Sequence, residues 1–148
     1  MDNAREIIHR IHDSGFEIYI VGGYVRDLFR NKDNPDIDLA TNATPEQLKI
    51  LFPQSKVVGT DFLVTMIDDV EVATYRKDHY EIMASYVIPA KTIYEDLARR
   101  DLTINAMALN PITEELIDPH NGREDLKNGI IRFVGDPHRR IKGGTSNK

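Results

Sequence analysis

The sequence predicts one mixed α/β domain. Predicted strands and helices alternate along the chain without an internal repeat, which is the order typical of that class. The 148 residues suit a single domain, and the apolar fraction of 41% is enough for a hydrophobic core. No apolar run approaches the roughly 20 residues that span a bilayer, and the N-terminus lacks the pattern of a signal peptide. We therefore expect no membrane association.

Elements in the first third of the chain are predicted from apolar spacing and turn residues. Ile7, Ile8 and Ile11 recur at helical spacing within residues 4–12, and Gly15 is expected to end that helix. A strand, a short helix, a loop and a second strand follow in turn, over residues 17–21, 24–30, 31–35 and 36–40.

The remaining elements are predicted from capping residues and from strand-like alternation. Thr44, Pro45 and Gln47 match a capping box with proline in the first turn, so a helix is expected to run from there to about Phe52. Residues 77–92 lack periodicity and are predicted to form a mobile loop that orders around a substrate. The rest is predicted as two hairpins, two helices and a last strand, over residues 62–67 with 70–75, 105–110 with 114–117, 94–100, 122–128 and 130–134.

The charge distribution argues against non-specific polyanion binding by most of the chain. Net charge is −5, and residues 1–122 carry 12 Lys and Arg against 21 Asp and Glu, whereas residues 123–148 carry 7 against 3. The phosphates of a nucleic acid substrate would be bound mainly by the basic C-terminal stretch or by other parts of the protein. The absence of cysteine excludes disulfides and thiolate zinc sites, and it fits a reducing compartment such as the cytoplasm. The histidines are scattered, so no zinc site is expected.

Two aspartates one residue apart are the strongest candidates for chemistry. In a strand over residues 36–40, Asp36 and Asp38 would point both carboxylates to the same face. Such a pair can hold magnesium against a triphosphate, although most Asp-x-Asp pairs are solvated loop charges. Glu71, in the predicted strand 70–75, either supplies the third carboxylate of a metal-assisted transfer or is an exposed strand residue. The pattern indicates phosphoryl or nucleotidyl transfer.

A Gly-Gly turn and an arginine-rich segment supply candidate phosphate contacts. Gly22 and Gly23 form either an ordinary strand-to-helix turn or a backbone that approaches phosphate, and no Walker pattern follows them. Arg26 can pair with a phosphate or with a carboxylate such as Asp27. Residues 95–108 hold four further polar candidates, which are either structural ion-pair groups or contacts to phosphate, ribose and base: Arg99, Arg100, Asp101 and Asn105.

Taken in this order, the segments resemble the class II nucleotidyltransferase family, which contains tRNA CCA-adding enzymes and bacterial poly(A) polymerases. The resemblance covers about residues 5–141, and its matching stretches are 21–27 (VGGYVRD), 36–41 (DIDLAT), 71–76 (EVATYR), 95–108 (EDLARRDLTINAMA) and 117–137. It implies a polymerase β-like nucleotidyltransferase head over residues 1–141. The expected core is a small mixed, largely antiparallel sheet of about five strands flanked by helices.

The resemblance also implies a role for each candidate residue. The metal site would hold two magnesium ions and would be formed by Asp36 and Asp38, with Glu71 as the third carboxylate. The triphosphate would be held by Gly22, Gly23 and Arg26. The incoming nucleotide would be contacted by Arg99, Arg100, Asp101 and Asn105, with Asp101 at the ribose. The reaction would be in-line attack of an RNA 3′-hydroxyl, above all that of tRNA, on the α-phosphate of ATP or CTP, with release of pyrophosphate.

The chain also departs from the family pattern. Family members continue after the head into a helical neck that carries a Glu-Asp-x-x-Arg motif, which serves as the template for the base, and then into tRNA-binding domains. We expect this sequence to lack those parts and to end in a disordered tail over residues 142–148. A head of this kind would need further C-terminal domains or a partner chain. The alternatives are a nucleotide-binding module that is inactive alone, and a specialist in A addition, CC addition or poly(A) synthesis.

Overall fold

A computed structural model describes residues 2–80 and 85–135 of the chain. The expected disordered tail, and the last part of the stretch that carries the resemblance, lie outside these described residues. Within them, no helix is both long and apolar enough to cross a membrane.

The centre of the fold is a seven-stranded sheet with the order β3-β4-β5-β2-β1-β8-β9. Its neighbouring strands run antiparallel except for β2 and β5, which are parallel. The strands are β1 Ile18–Val21, β2 Asp38–Thr41, β3 Lys56–Val58, β4 Val64–Ile67, β5 Val70–Thr74, β8 Ala108–Leu109 and β9 Leu116–Ile117. The mixed, largely antiparallel sheet is confirmed, and it has more strands than the expected number because short edge strands extend it on both sides.

Five α-helices and one 3-10 turn surround the sheet within the described residues. They are α1 Asp2–Asp13, α2 Gly23–Phe29, α3 Pro45–Leu51, α4 Ile93–Ala98, α5 Gly122–Lys127 and the 3-10 turn Thr103–Asn105. The predicted capping box is present at α3, where the Gln47 N–H donates to Thr44 Oγ1 over 3.1 Å and the Thr44 N–H donates to Gln47 Oε1 over 2.9 Å. Thr92 and Glu95 form the same motif at α4.

Apolar side chains are buried on both faces of the sheet. Leu39 packs in a cluster with Ile11 of α1 and Leu48 of α3, whereas its neighbour Ala40 packs in a second cluster with Leu97 of α4. This division follows from the strand geometry, because successive side chains point to opposite faces. The sheet is therefore packed between helices. The ends of its strands hold polar side chains in defined positions.

The expectation of a mobile loop is wrong for the described part of residues 77–92, and residues 81–84 lie outside that part. Arg76–Tyr80 (β6) and Ser85–Pro89 (β7) pair as an antiparallel hairpin, outside the main sheet. The hairpin is held to α4 by ion pairs from Arg99 Nε to Asp78 Oδ1 at 3.4 Å and from Lys77 Nζ to Glu95 Oε2 at 3.3 Å. Its strands show no apolar alternation because charged contacts, rather than a buried apolar face, hold this hairpin in place.

Two smaller strand predictions also differ from the structure. The strand expected over residues 130–134 is a single antiparallel bridge between Leu102 and Phe133. Leu102 is immediately followed by the 3-10 turn, so it offers no further extended residues for a ladder. The short edge strand β3 was not predicted from the sequence.

A buried carboxylate joins α5 to the 3-10 turn. Asp125 Oδ2 accepts hydrogen bonds from Thr103 Oγ1 at 2.7 Å and from Arg132 Nε at 3.1 Å. The bond from Thr103, followed by that from Arg132, lowers the pKa of Asp125 below its ordinary value. A Cβ at Gly122 would collide with the Thr103 carbonyl oxygen, so the two elements are in close contact. This joint positions Asn105 at the end of the same turn.

We predict that Asp125→Asn lowers the melting temperature at pH 7. A carboxylate with a lowered pKa contributes stability above its ordinary pKa, and that contribution is lost as pH falls through the lowered value. The difference between the two proteins should therefore narrow in acid, as measured by thermal unfolding across a pH series. Glu124→Gln, on the exposed side of the same helix, is the control. A difference that stays constant down to acid pH would contradict the prediction.

Candidate active site

Parallel pairing of β2 with β5 brings two carboxylates together. Asp38 lies directly opposite Glu71 in the register of the two strands, so their side chains share one face of the sheet. Burial is the main cause that raises the pKa of Asp38 to about 6, and the negative charge of Glu71 adds to it. Arg100 opposes this shift, since its positive charge favours the ionised carboxylate. The site thus contains a half-buried anionic pair held by rigid strands.

Asp36 joins this pair differently from the sequence expectation. The strand begins at Asp38, so Asp36 lies in the preceding loop and the strand pleat does not orient it. Its side chain is exposed, and its charge contributes to the raised pKa of Asp38, which shows that it lies nearby. Contacts within the loop must therefore set the position of Asp36.

The three carboxylates border a cavity of about 850 Å³. The other lining residues come from α1, the loop before β2 and the β4–β5 turn, and they include Asn3, Ile37, Met66 and Asp69. Within residues 2–80 and 85–135, no three acidic or histidine side chains form a preassembled metal cluster. A pair of hard carboxylate ligands still fits magnesium, which is usually bound by one or two carboxylates together with substrate phosphates and water.

The Gly22-Gly23 turn lies between the carboxylates and two arginines. Gly22 has φ 74°, and a Cβ there would lie 3.5 Å from Arg100 Nη1 and 3.8 Å from Asp38 Oδ2. A Cβ at Gly23 would lie 3.1 Å from Arg26 Nη2. Glycine suits position 22 because this backbone conformation has a positive φ, which strains other residues.

Arg26 connects two segments that are far apart in the sequence. Its Nη1 donates to Asn105 Oδ1 over 2.8 Å, and its Nε donates to Asp27 Oδ1 over 3.0 Å. The pairing with Asp27, one of the two alternatives raised by the sequence, is present, and Arg26 also lies against the glycine turn. The structure therefore brings together two candidates, Arg26 from residues 21–27 and Asn105 from residues 95–108.

The two consecutive arginines after α4 point to different surroundings. Arg100 is buried beside Asp38, and its Nη2 lies 3.4 Å from Asp96 Oδ1. Its Nε is buried and has no hydrogen-bond partner within the described residues. Arg99 contacts Asp78 of the hairpin, and burial together with the charge of Arg76 lowers the pKa of its guanidinium. Arg100 therefore belongs to the carboxylate site, whereas Arg99 lies against β6.

Two aspartates lie close in sequence to the consecutive arginines, and only Asp101 is a candidate from the sequence. Asp101 is half-buried, and its backbone carbonyl accepts a hydrogen bond from the Val134 N–H over 2.8 Å. Asp96, which was not a candidate, is fully buried and accepts from the Arg76 N–H over 2.9 Å as well as from Arg100. The spacing of Asp96 four residues before Arg100 on a helix is the signal that could have identified it.

The letters Glu-Asp-x-x-Arg occur at Glu95, Asp96 and Arg99, but they do not form a free base template. Asp96 is completely buried and bonded to Arg76 and Arg100. Arg99 is paired with Asp78. These side chains hold α4 against the hairpin, so the pattern has a structural role here.

Comparisons with known proteins give a consistent family match for the chain as a whole. The family model described as the poly(A) polymerase head domain matches residues 18–132. Poly(A) polymerase I of Haemophilus influenzae is 39% identical over 91% of this chain and 34% of its own length. The CCA-adding enzyme of Enterococcus faecalis is 44% identical over 93% of this chain and 36% of its own length. The chain therefore spans about a third of these relatives.

Solved structures give the same result for the fold. The Bacillus stearothermophilus CCA-adding enzyme in complex with CTP superposes with a TM-score of 0.84 and 35% identity, over 95% of this chain and 35% of that one. The Thermotoga maritima CCA-adding enzyme, complexed with tRNA, superposes with a TM-score of 0.60 and 32% identity over 85% of this chain and 30% of that one. Nucleotidyltransferases of this family typically use divalent metal ions.

We predict that Glu71→Gln stabilises the metal-free protein at pH 8. At pH 8 the Asp38 carboxylate is ionised against the negative charge of Glu71, and its raised pKa means that stability is lost as pH rises through about 6. Removing one charge should raise the melting temperature by roughly 2–4 °C, about 1 kcal/mol for a chain of this size once solvent screening is allowed for.

The same comparison at pH 5 should show a smaller gain, because Asp38 is then mostly protonated and is no longer repelled by the charge of Glu71. Calorimetry in the presence of a chelator measures both differences. Glu6→Gln on the exposed face of α1 is the matched control. Equal gains at pH 5 and pH 8, or a loss at pH 8, would show that the pair does not repel as described.

Proposed function

We propose that this chain, which belongs to the poly(A) polymerase head-domain family, is the catalytic head of an RNA 3′-terminal nucleotidyltransferase. The observation that carries the proposal is the Asp38–Glu71 pair, with Asp36 nearby and with the glycine turn and Arg100 on its border. The substrates that best suit this site are CTP or ATP and the 3′ end of a tRNA, in keeping with the relatives named as CCA-adding enzymes.

The carboxylates and the arginines would have different roles at this site. Asp36, Asp38 and Glu71 would hold magnesium, which lowers the pKa of an attacking hydroxyl and stabilises charge on the α-phosphate when it is bound. The open backbone at Gly22 and Gly23 would let the triphosphate approach closely. Arg100 has an unpartnered Nε and Arg26 lies against the turn, so both are placed to pair with phosphate oxygens.

The reaction would be a single in-line displacement. The oxygen of the RNA 3′-hydroxyl forms a bond to the α-phosphorus, the bond from that phosphorus to the pyrophosphate oxygen breaks, and the hydroxyl proton leaves to water. No covalent enzyme intermediate is needed. Buried, bonded strands keep Asp38 and Glu71 in place, so positioning and charge stabilisation supply the acceleration.

The remaining candidates would contact the nucleoside. Asn105 is held by Arg26 and borders the same turn, and Asp101 would bind ribose hydroxyls. Arg99 could reach the nucleotide only if its contact with Asp78 opened. Selection between cytosine and adenine would depend on polypeptide beyond the third of the relatives' length that this chain spans.

We predict that Asp38→Asn in the full natural protein reduces nucleotide addition by about a thousandfold or more, equivalent to roughly 4 kcal/mol of transition-state stabilisation. The assay is incubation with tRNA lacking its 3′ end and with each nucleoside triphosphate separately, followed by sequencing of the product ends. Asp33→Asn, an exposed aspartate in the same loop region, should retain activity. Normal addition by the Asp38 variant would rule out the proposed function.

We also predict that the 148-residue chain alone discriminates poorly between CTP and ATP. The described site contains groups suited to phosphate and ribose, but its Glu-Asp-x-x-Arg residues are occupied by structural ion pairs. Titration calorimetry with each nucleotide and magnesium should give affinities within about threefold, because these paired residues would not be available to distinguish the two bases. Ordered addition of C, C and then A by the isolated chain would contradict this prediction.

A further inference from the structure

The loop between α2 and β2 contains a side-chain bridge that ends at Asp36. Asn34 Oδ1 accepts a hydrogen bond from the Asp36 N–H over 2.9 Å, and Asn34 Nδ2 donates to Asp27 Oδ2 over 2.8 Å. The orientation of this amide is determined by its partners, because a carboxylate can only accept and a backbone N–H can only donate. Asn34 therefore uses both ends of its amide group at once.

The other end of the bridge is a buried anion. Asp27 is 8% exposed, and its Oδ1 accepts from Arg26 Nε at 3.0 Å and from Arg30 Nη1 at 3.4 Å. The backbone carbonyl of Asp27 also accepts from the Lys32 N–H over 2.9 Å, which folds the start of the loop onto α2. Asp27 is thus held in place by its hydrogen bonds, and Arg26 connects it to the glycine turn.

We infer that Asn34 is a positioning residue that holds Asp36 beside the Asp38–Glu71 pair by bridging it to Asp27. The bridge is needed because Asp36 precedes the strand and gains no orientation from the sheet. It also connects the loop carboxylate to Arg26, and through Arg26 to Asn105 on the nucleotide side of the site. The inference rests on the proposed function, since it requires Asp36 to be a metal ligand.

Manganese binding tests the inference without any activity measurement. The probe is Mn²⁺ alone, titrated into the 148-residue chain while free Mn²⁺ is followed by electron paramagnetic resonance. Asn34→Ala removes both hydrogen bonds of the bridge. We expect about tenfold weaker binding, at the lower end of the effect of removing groups that orient metal ligands. Asn128→Ala loses a comparable amide-to-carboxylate bond, to Glu124 at 3.2 Å, and should bind as the natural chain does.

A charge exchange separates positioning from general electrostatics. Asn34→Asp keeps an acceptor for the Asp36 N–H but loses the donor and sets a carboxylate against Asp27. If charge alone mattered, this added anion would strengthen cation binding, whereas loss of positioning weakens it. The double variant Asp27→Asn with Asn34→Asp reverses the direction of the bond and retains the net charge. We expect it to recover Mn²⁺ affinity to within about threefold of the natural chain.

Each outcome decides the inference. Affinity of Asn34→Ala within twofold of the natural chain, tighter binding by Asn34→Asp, or a double variant as weak as Asn34→Asp would overturn it. Asp38→Asn is measured in parallel. If that variant also binds Mn²⁺ normally, the carboxylates are not a metal site and the proposed function fails together with the inference. If only Asp38→Asn weakens binding, the proposed function stands and the role of Asn34 is wrong.

Discussion

The parallel pairing of β2 with β5 is the constraint on which the rest of this site depends. It places Asp38 and Glu71 opposite each other, at positions where burial and like charge both oppose ionisation. A folded protein retains such a pair only if surrounding structure holds it. Here the two strands lie in the middle of the sheet, and Leu39 and Val72 beside the carboxylates are completely buried. The fold therefore keeps these two carboxylates close together at an electrostatic cost. A cation bound between them would relieve that cost.

The arginines of the site are also held in position by buried carboxylates. Asp96 receives the Arg76 N–H and the Arg100 guanidinium, and Asp27 receives Arg26 and Arg30. Asp96 thus fixes Arg100, whose Nε is unpartnered within the described residues, and Asp27 fixes Arg26, whose Nη2 lies against the glycine turn. Such pairing would let an acidic chain present the proposed triphosphate site. The cost of desolvating each arginine is offset by its structural anion, so little rearrangement is needed when phosphate binds.

How much the sequence predicted depended on whether the determining interaction was local. The helix at Thr44 was predicted because its capping box lies within four residues. The hairpin of β6 and β7 was missed because long-range ion pairs to α4, rather than apolar alternation, hold it in place. The motif residues were recognised, but the loop position of Asp36 and the bridge through Asn34 were not, since both depend on contacts with Asp27. Likewise, only the tertiary structure shows that Arg99 contacts Asp78 whereas Arg100 lies beside Asp38.

The central claim is that Asp38 and Glu71 form the floor of a divalent-cation site. Anomalous diffraction at the manganese edge, from crystals of this chain soaked with Mn²⁺ and a non-hydrolysable CTP analogue, locates the ion directly. We expect a peak within about 2.3 Å of carboxylate oxygens from both residues and of a phosphate oxygen. Nucleotide bound at the glycine turn with no peak at these carboxylates, or with the ion held elsewhere, would contradict the claim.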